Sequence, residues 1–236
     1  MLTSHDHVIS KARRYVQETM PEDYTGHDYL HVERVWKMAK LIAEECGADA
    51  TIVELAALFH DISDYKLNGG DERIGPDIAR QWVWENTGSS EIADAIAQII
   101  LDIPFRGANV TDGPKPLSIE AQCVQDADRL DAIGAIGIAR AFAFGGARRQ
   151  PMMRADIEPV LHRSFDEYKE KNGTTVNHFY EKLLLLKDRM NTSTGRRIAE
   201  KRHALLIDFL ENLSGETGMT FGFVNADIRP LVTPSP

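Results

Sequence analysis

Apolar side chains recur every three or four positions along most of this chain, the spacing that places them on one face of an α-helix. Between residues 4 and 20, for example, Val8, Ala12 and Val16 share a face, and Pro21 ends the run. The strict alternation of apolar and polar residues that marks strands is nearly absent. The pattern predicts an all-α protein with helices over residues 4–20, 26–46, 50–59, 74–86, 90–102, 118–144, 156–171, 175–190 and 192–213.

One of the most apolar of these helices runs from Ala50 to Phe59 and is followed at once by His60 and Asp61. A helix that is apolar nearly all round is a buried helix. Two polar side chains at its end lose hydration there, which is costly unless a partner replaces the lost interactions. A divalent cation is such a partner, because imidazole and carboxylate are a common mixed ligand set for first-row metals.

The segments between the predicted helices read as loops within one continuous body. Residues 104–116 contain three prolines and two glycines, and residues 147–155 form a basic surface loop. The helix predicted over 118–144 is rich in small residues, which allow close packing between helices. We expect an all-α, single-domain fold over residues 1–213 and an irregular tail over 214–236, because the last residues show no periodicity.

Composition and charge limit the classes of partner. With 236 residues, 43% of them apolar, the chain can bury a sizeable core. It has no run approaching the roughly 18 apolar residues of a membrane span, and its first residues lack a signal-peptide pattern. Cys46 and Cys123 lie in helical patterns and indicate reduced thiols in a cytoplasmic protein. A net charge of −9 argues against nucleic acid as a partner, while a small phosphorylated substrate remains compatible with a local basic cluster.

Four side chains from three predicted helices form a candidate metal site. His31 lies near the start of the second helix, His60 and Asp61 end the third, and Asp128 lies in the helix after the proline-rich loop. Two nitrogens and two carboxylates leave open positions on a six-coordinate ion, as a catalytic site requires. Taken alone, His31 is more readily explained as a partly buried histidine and Asp128 as a helix-surface acid. A structural ion is disfavoured, because such ions usually have a closed shell of cysteine and histidine ligands.

These residues match the H…HD…D signature of the HD-domain superfamily of metal-dependent phosphohydrolases, which the chain resembles. Longer stretches are similar to a bacterial subgroup of YedJ-like or YpgQ-like HD proteins. The likeness covers about residues 5–213 and rests on four blocks: His31–Val35, Leu55–Ile62, Gln125–Arg140 and Met190–Thr192.

The resemblance implies a helical HD fold in which one divalent ion is held by His31, His60, Asp61 and Asp128. It also implies hydrolysis of a phosphate ester or anhydride. Within the subgroup the implied reaction cleaves nucleoside triphosphates to a monophosphate and pyrophosphate through a metal-activated water. The implied ion is Mn²⁺, Ni²⁺, Co²⁺ or Mg²⁺, and the spacing does not choose among them. Two alternatives stay open: a phosphomonoesterase acting on nucleoside monophosphates, and a non-catalytic nucleotide-binding sensor.

Further side chains are candidates for catalysis and substrate binding. The resemblance implies a general acid/base role for Asp64, where related nucleotidases often carry the longer Glu, and Lys66 is a candidate phosphate contact. His27 precedes His31 by one helical turn and is expected either to support the metal ligands or to contact substrate. The other candidate substrate contacts are Arg106, Arg140, Arg148, His178 and Lys182.

The distribution of histidines favours a single metal ion. Between Asp61 and His162 the sequence contains no histidine. Dinuclear HD enzymes resemble one another in carrying extra histidines in that interval. We therefore expect a mononuclear hydrolase.

Overall fold

The computed structural model describes residues 4–20, 23, 26–63, 73–104, 117–160 and 173–222. Within these ranges the secondary structure is α-helical, with two short 3-10 turns and no strand, so the predicted all-α class is confirmed. The helices are α1 (Ser4–Thr19), α2 (Tyr29–Cys46), α3 (Ala50–Phe59), α4 (Ile74–Thr87), α5 (Ser90–Asp102), α6 (Ile119–Asp131), α7 (Gly134–Ala147), α8 (Thr175–Glu181) and α9 (Ser193–Thr217), and the 3-10 turns are Leu183–Leu185 and Lys187–Arg189.

The chain divides into two compact units. The first comprises Met1–Pro104 and Pro114–Asp128, and the second comprises Phe105–Gly113 and Arg129–Pro236. The first unit is built around α3, which packs against α1, α2, α4 and α5. Every residue of α3 from Val53 to Phe59 is buried, as expected for a helix that is apolar nearly all round.

The connection between α2 and α3 is short, and both of its ends are capped. Gly47 adopts φ 68° and donates its N–H to the carbonyl of Ala43, which ends α2. The side chain of Asp49 accepts from the N–H of Thr51 at 2.8 Å and of Ile52 at 3.1 Å, which starts α3. A turn this short makes the two helices neighbours that run in opposite directions. The N-terminal end of α2 therefore lies near the C-terminal end of α3.

A buried carboxylate joins α3 to its neighbours. The side chain of Glu54 accepts from Trp36 Nε1 at 2.8 Å, contacts His5 Nε2 at 3.1 Å and lies 3.6 Å from Lys40 Nζ. The Glu54 side chain is only 2% exposed, so these contacts from α1 and α2 replace most of the water that the charge loses. His5 also contacts Thr51 Oγ1 at 3.0 Å. The network fixes the position of the helix that carries His60 and Asp61 at its end.

In the second unit, α7 packs against α8 and α9. The rings of Phe179 and Phe209 stack with centroids 5.6 Å apart, and Phe142 packs against both at 6.0 and 5.7 Å. The helices approach closely where side chains are absent. A β-carbon on Gly145 would lie 2.1 Å from Thr175 Oγ1, so only glycine fits where α7 meets α8.

The single helix predicted over 118–144 is wrong, because the structure has two helices, α6 and α7, separated at Ala132 and Ile133. Gly134 adopts φ 78°, a conformation that breaks helical geometry and that glycine adopts without strain. Arg202 from α9 packs its aliphatic stem against this glycine and donates Nη1 to the carbonyl of Leu130 at 2.5 Å. The hydrogen bond from Arg202, a residue distant in sequence, therefore satisfies a backbone carbonyl at the end of α6.

Other boundaries also differ from the prediction. The helix expected over 175–190 ends at Glu181 and continues as the two 3-10 turns. Residues 156–160 are a turn followed by chain without regular secondary structure instead of the start of a helix, and 161–171 lie outside the described residues. The last helix ends at Thr217, four residues beyond the predicted boundary at 213. The domain limits 1–213 and 214–236 otherwise stay a prediction.

The helices in the described ranges differ from membrane spans. None of them, taken on its own, combines the length and the hydropathy that a span needs. The pair α6 and α7, interrupted at Ala132, reaches those values only when the two helices are taken together.

We predict that Glu54→Gln lowers the free energy of unfolding by about 2 kcal/mol, because an uncharged amide loses the charge-assisted contacts to His5 and Lys40. Urea denaturation followed by far-UV circular dichroism measures this loss. The exposed Glu85, which accepts only from Gln81 on its own helix, provides the control. Glu85→Gln should change the stability by less than about 0.5 kcal/mol. Equal urea midpoints for the two variants would contradict a role for Glu54 in anchoring α3.

Candidate metal centre

The four predicted metal ligands converge in the first unit. His31 lies in the first turn of α2, which Asp28 starts by accepting the backbone N–H of His31 at 2.9 Å. His60 is the C-cap residue of α3, and Asp61 follows it in a turn. Asp128 lies in the last turn of α6. The structure thus brings together side chains that are separated by as many as 97 positions in the sequence (128 − 31).

The donor atoms lie at distances that suit a shared ion. His31 Nε2 is 3.2 Å from His60 Nε2, 3.5 Å from Asp61 Oδ2 and 3.5 Å from Asp128 Oδ1. His60 Nε2 is 3.9 Å from Asp61 Oδ2 and 3.8 Å from Asp128 Oδ1. Donors about 2.1 Å from an ion lie about 3.0 Å apart when adjacent and about 4.2 Å apart when opposite. All five separations fall between these limits.

The orientation of His60 is fixed by the backbone. Its Nδ1 lies 2.8 Å from the carbonyl oxygen of Ala57, which can only accept, so Nδ1 carries the proton. In the neutral ring Nε2 then presents a lone pair to His31 Nε2 and to the two carboxylates. A hydrogen bond of this kind is typical of metal-ligating histidines. Two imidazole nitrogens and two carboxylates this close together match the donor set of a divalent cation, so the residues present fit such an ion.

Exposure increases from one side of the cluster to the other. The His31 side chain is 0% exposed and the His60 side chain 4%, whereas Asp61 is 21% and Asp128 39% exposed. The histidines form a closed inner wall, and the carboxylates border solvent. An ion held there would keep positions accessible to water or substrate, which distinguishes a catalytic site from a closed structural one.

The local charges keep Asp61 ionised. Burial alone would raise the pKa of the Asp61 carboxyl group. The charge that His60 carries when it is protonated and the hydrogen bonds from His27 and His31 outweigh burial, and they hold the pKa of Asp61 well below its usual range. The carboxylate is therefore the form available for binding a cation.

His27 lies beside the cluster and contacts one of its members. Its Nδ1 is 3.1 Å from Asp61 Oδ2, and its ring meets that of His31 edge to face with centroids 5.7 Å apart. The donor atoms form two overlapping triads that share His31, one with His27 and Asp61 and the other with His60 and Asp128. The sequence left two roles open for His27, support of the metal ligands and contact with substrate. The structure places its imidazole next to the predicted ligand Asp61.

Two arginines predicted to contact substrate have other partners in the second unit. Arg140 donates Nη1 to Asp131 Oδ2 at 2.8 Å, and both side chains are largely buried. Arg148 lies exposed after the end of α7, with its guanidinium 5.0 Å from the centre of the Phe144 ring. The charge of Arg140 is thus already balanced by Asp131. Substrate contact by either arginine stays a prediction.

The remaining predicted residues are less informative. His178 lies in α8, and its carbonyl oxygen accepts from the backbone N–H of Lys182 at 3.0 Å. Substrate binding by His178 and Lys182 also stays a prediction. The predicted catalytic residues Asp64 and Lys66 and the predicted substrate contact Arg106 lie outside the described residues.

The structure gives two of the sequence blocks a physical role that the sequence did not reveal. Arg129, within Gln125–Arg140, donates to the backbone carbonyl of Arg189, directly before Met190–Thr192. Arg196 donates to the carbonyls at the start of that block, those of Met190 at 3.1 Å and Asn191 at 2.5 Å. These arginines hold backbone oxygens in place. Nothing in a single sequence marks which carbonyl an arginine will reach.

The geometry and the sequence define the same class of protein. A sequence profile described as the HD domain matches residues 28–133, a range that contains all four members of the cluster. The chain belongs to the HD-domain superfamily of metal-dependent phosphohydrolases.

Relatives extend this likeness over nearly the whole chain. The protein YpgQ of Bacillus subtilis strain 168 is 41% identical over 201 residues, which is 85% of this chain and 89% of YpgQ. The crystal structure of YpgQ in complex with ADP superposes with a TM-score of 0.72 at 36% identity, covering 91% of this chain and 97% of YpgQ. An HD-superfamily hydrolase from Bacillus thuringiensis gives a TM-score of 0.70 at 37% identity, covering 92% and 100% of the two chains. The expected all-α, single-domain HD fold is confirmed.

We predict that His60→Ala and Asp128→Ala each weaken Mn²⁺ binding by more than about 100-fold, because each removes a donor from the cluster. Metal content after dialysis, measured by mass spectrometry, tests this directly. Both variants should keep the helical circular-dichroism signal of the parent protein. His7→Ala is the control, since His7 is exposed on α1, outside both triads. Metal retained by both cluster variants would contradict the assignment, and unfolding of both would favour a structural ion.

Proposed function

We propose that this protein hydrolyses nucleoside triphosphates to nucleoside monophosphate and pyrophosphate with the help of one divalent metal ion. The observation that carries the proposal is the cluster in which each of two imidazole nitrogens lies 3.2–3.9 Å from the other and from two carboxylate oxygens, open to solvent on its carboxylate side. The ADP bound by the relative YpgQ supports a nucleotide as the ligand.

The chain's own residues supply two things to this reaction. His31 and His60 provide neutral nitrogen donors at the buried side, and Asp61 and Asp128 provide negative charge that retains a cation at the solvent side. When bound, a divalent ion supplies Lewis acidity towards a phosphoryl oxygen and activates water. Phosphoryl transfer otherwise requires mainly positioning and positive charge around the transferring group. The cluster meets the requirement for positioning, because its side chains are held by three helices.

The donor set bears on which ion is used. Mg²⁺ prefers oxygen ligands and octahedral geometry, and it keeps several waters. Two imidazoles favour Mn²⁺, Co²⁺ or Ni²⁺ over Mg²⁺, and affinity rises from Mn²⁺ to Ni²⁺ along the Irving–Williams order. We propose that one such transition ion serves the reaction and that Mn²⁺ is the working ion, because carboxylate and water ligands suit Mn²⁺.

Residues beyond the cluster complete the proposal. Asp64 is assigned the general acid/base role and Lys66 a phosphate contact, both from the resemblance to HD nucleotidases. Arg106, Arg148, His178 and Lys182 remain proposed substrate contacts. We also propose a cytoplasmic location, because Cys46 and Cys123 are both free thiols.

A metal-by-nucleotide screen tests the reaction. Protein stripped with a chelator should be inactive, and adding Mn²⁺, Co²⁺ or Ni²⁺ should restore hydrolysis of at least one (d)NTP. Anion-exchange chromatography should show monophosphate and pyrophosphate in equal amounts, and His60→Ala should retain less than about 1% of the rate because it lacks the ion that accounts for most of the acceleration.

The products decide between this proposal and its alternatives. Nucleoside and inorganic phosphate from a monophosphate substrate would identify a phosphomonoesterase instead. Nucleotide affinity without any product after long incubation would identify a sensor. Absence of both product and affinity with every metal would refute the proposal.

A further inference from the structure

We infer that His27 is a positioning residue that holds the carboxylate of Asp61 in the orientation needed to bind the metal ion. The inference rests on the metal centre of the proposed function and adds a residue outside the four predicted ligands. It replaces direct substrate contact as the role of His27.

One oxygen of Asp61 is singled out by its surroundings. Oδ2 lies 3.1 Å from His27 Nδ1, and the same oxygen faces His31 Nε2 at 3.5 Å and His60 Nε2 at 3.9 Å. The atom that would contact the ion is therefore also the atom that His27 contacts. A hydrogen bond to this oxygen fixes the side-chain torsions of Asp61 as well as its position.

Asp61 needs such support because of where it lies. It follows the end of α3, in a turn, where the regular helix no longer restricts its backbone. His60 has the carbonyl of Ala57 to orient it, 2.8 Å from Nδ1. His27 gives Asp61 the equivalent restraint from the segment that precedes α2. Each of the two adjacent ligands thus has its own orienting partner.

His27 is itself held in place. Its backbone N–H donates to Asp23 Oδ2 at 3.3 Å, and the next residue, Asp28, caps α2. Its ring packs edge to face against the buried ring of His31. These contacts restrict the imidazole to the side of the cluster where Asp61 lies.

The chemistry of the contact argues against two other roles for Nδ1 of His27. A carboxylate only accepts hydrogen bonds, so His27 Nδ1 must carry the proton in this contact. A protonated ring nitrogen has no lone pair for an ion, which excludes Nδ1 as a further ligand in this arrangement. Because Nδ1 is engaged with Asp61, it is not available to donate to a substrate phosphate, and only Nε2 could make such a contact.

Two substitutions test the inference. His27→Ala removes the hydrogen bond, and we expect Mn²⁺ affinity to fall by about 10–100-fold, as for other residues that orient metal ligands. His27→Asn places an amide N–H near the position of Nδ1 and should restore most of the lost affinity. Competition with a chromophoric chelator measures Mn²⁺ affinity without any need for activity. His7→Ala on the exposed face of α1 is the control and should bind Mn²⁺ as the parent protein does.

Steady-state kinetics at saturating Mn²⁺ provide the second readout. If His27 positions Asp61, the KM for nucleotide should change by less than about threefold once the metal site is filled, because no substrate contact has been removed. Circular dichroism shows whether the alanine variant folds. If it does not, the asparagine variant and a His27→Gln variant, whose amide is displaced by one methylene, replace it. The glutamine variant should then bind Mn²⁺ more weakly than the asparagine variant.

The outcomes separate the possible roles. Unchanged Mn²⁺ affinity in His27→Ala, together with a raised KM, would show substrate contact and overturn the inference. Loss of Mn²⁺ that asparagine does not restore, with an altered visible spectrum of the Co²⁺-substituted protein, would show a direct ligand and overturn it too. If the parent protein binds Mn²⁺ but hydrolyses no nucleotide, the proposed function fails while the affinity comparison still decides the role of His27.

Discussion

The close approach of two imidazoles, His31 and His60, is the interaction on which the site depends. Their Nε2 atoms are 3.2 Å apart, and His60 already donates from Nδ1 to a backbone carbonyl. Both rings are almost entirely buried, so water cannot satisfy the facing nitrogens. The carboxylates on the solvent side add negative charge that a cation would balance. When both Nε2 atoms present lone pairs, a shared cation offsets their mutual repulsion and replaces the hydration that burial removes.

The fold supports this arrangement by fixing α3 on every side. The helix is buried from Val53 to Phe59, and the carboxylate of Glu54 ties it to α1 and α2. The short capped turn at Gly47 and Asp49 then sets where α2 runs. A ligand pair at the end of such a helix has little freedom to move. The precision of the site therefore comes from packing around α3, which lies at the centre of the first unit.

The sequence predicted the parts of this structure that depend on local pattern. Helical periodicity located α1 to α5 closely, and the position of His60 and Asp61 at the end of an apolar helix indicated the metal site. The break between α6 and α7 was missed because Gly134 reads in the sequence as one of several small residues of a continuous helix. Arg202, which satisfies the end of α6, lies 72 positions from Leu130 and gives no local signal. The hydrogen bond from His60 to the carbonyl of Ala57 was also not predictable, because every residue has a backbone carbonyl and the sequence does not indicate which one a side chain will contact.

The arginines show why residue type alone misdirects a search for phosphate contacts. In the described part of the second unit, Arg140 pairs with Asp131, and Arg129, Arg196 and Arg202 donate to backbone carbonyls. A chain with a net charge of −9 repels a polyphosphate at long range, and these arginines already have partners. The positive charge that attracts the substrate must then be concentrated where it is not internally balanced. In the proposed reaction, a divalent ion on the open side of the carboxylates would provide such a charge, and metal binding and substrate binding would then be one property of the same cluster.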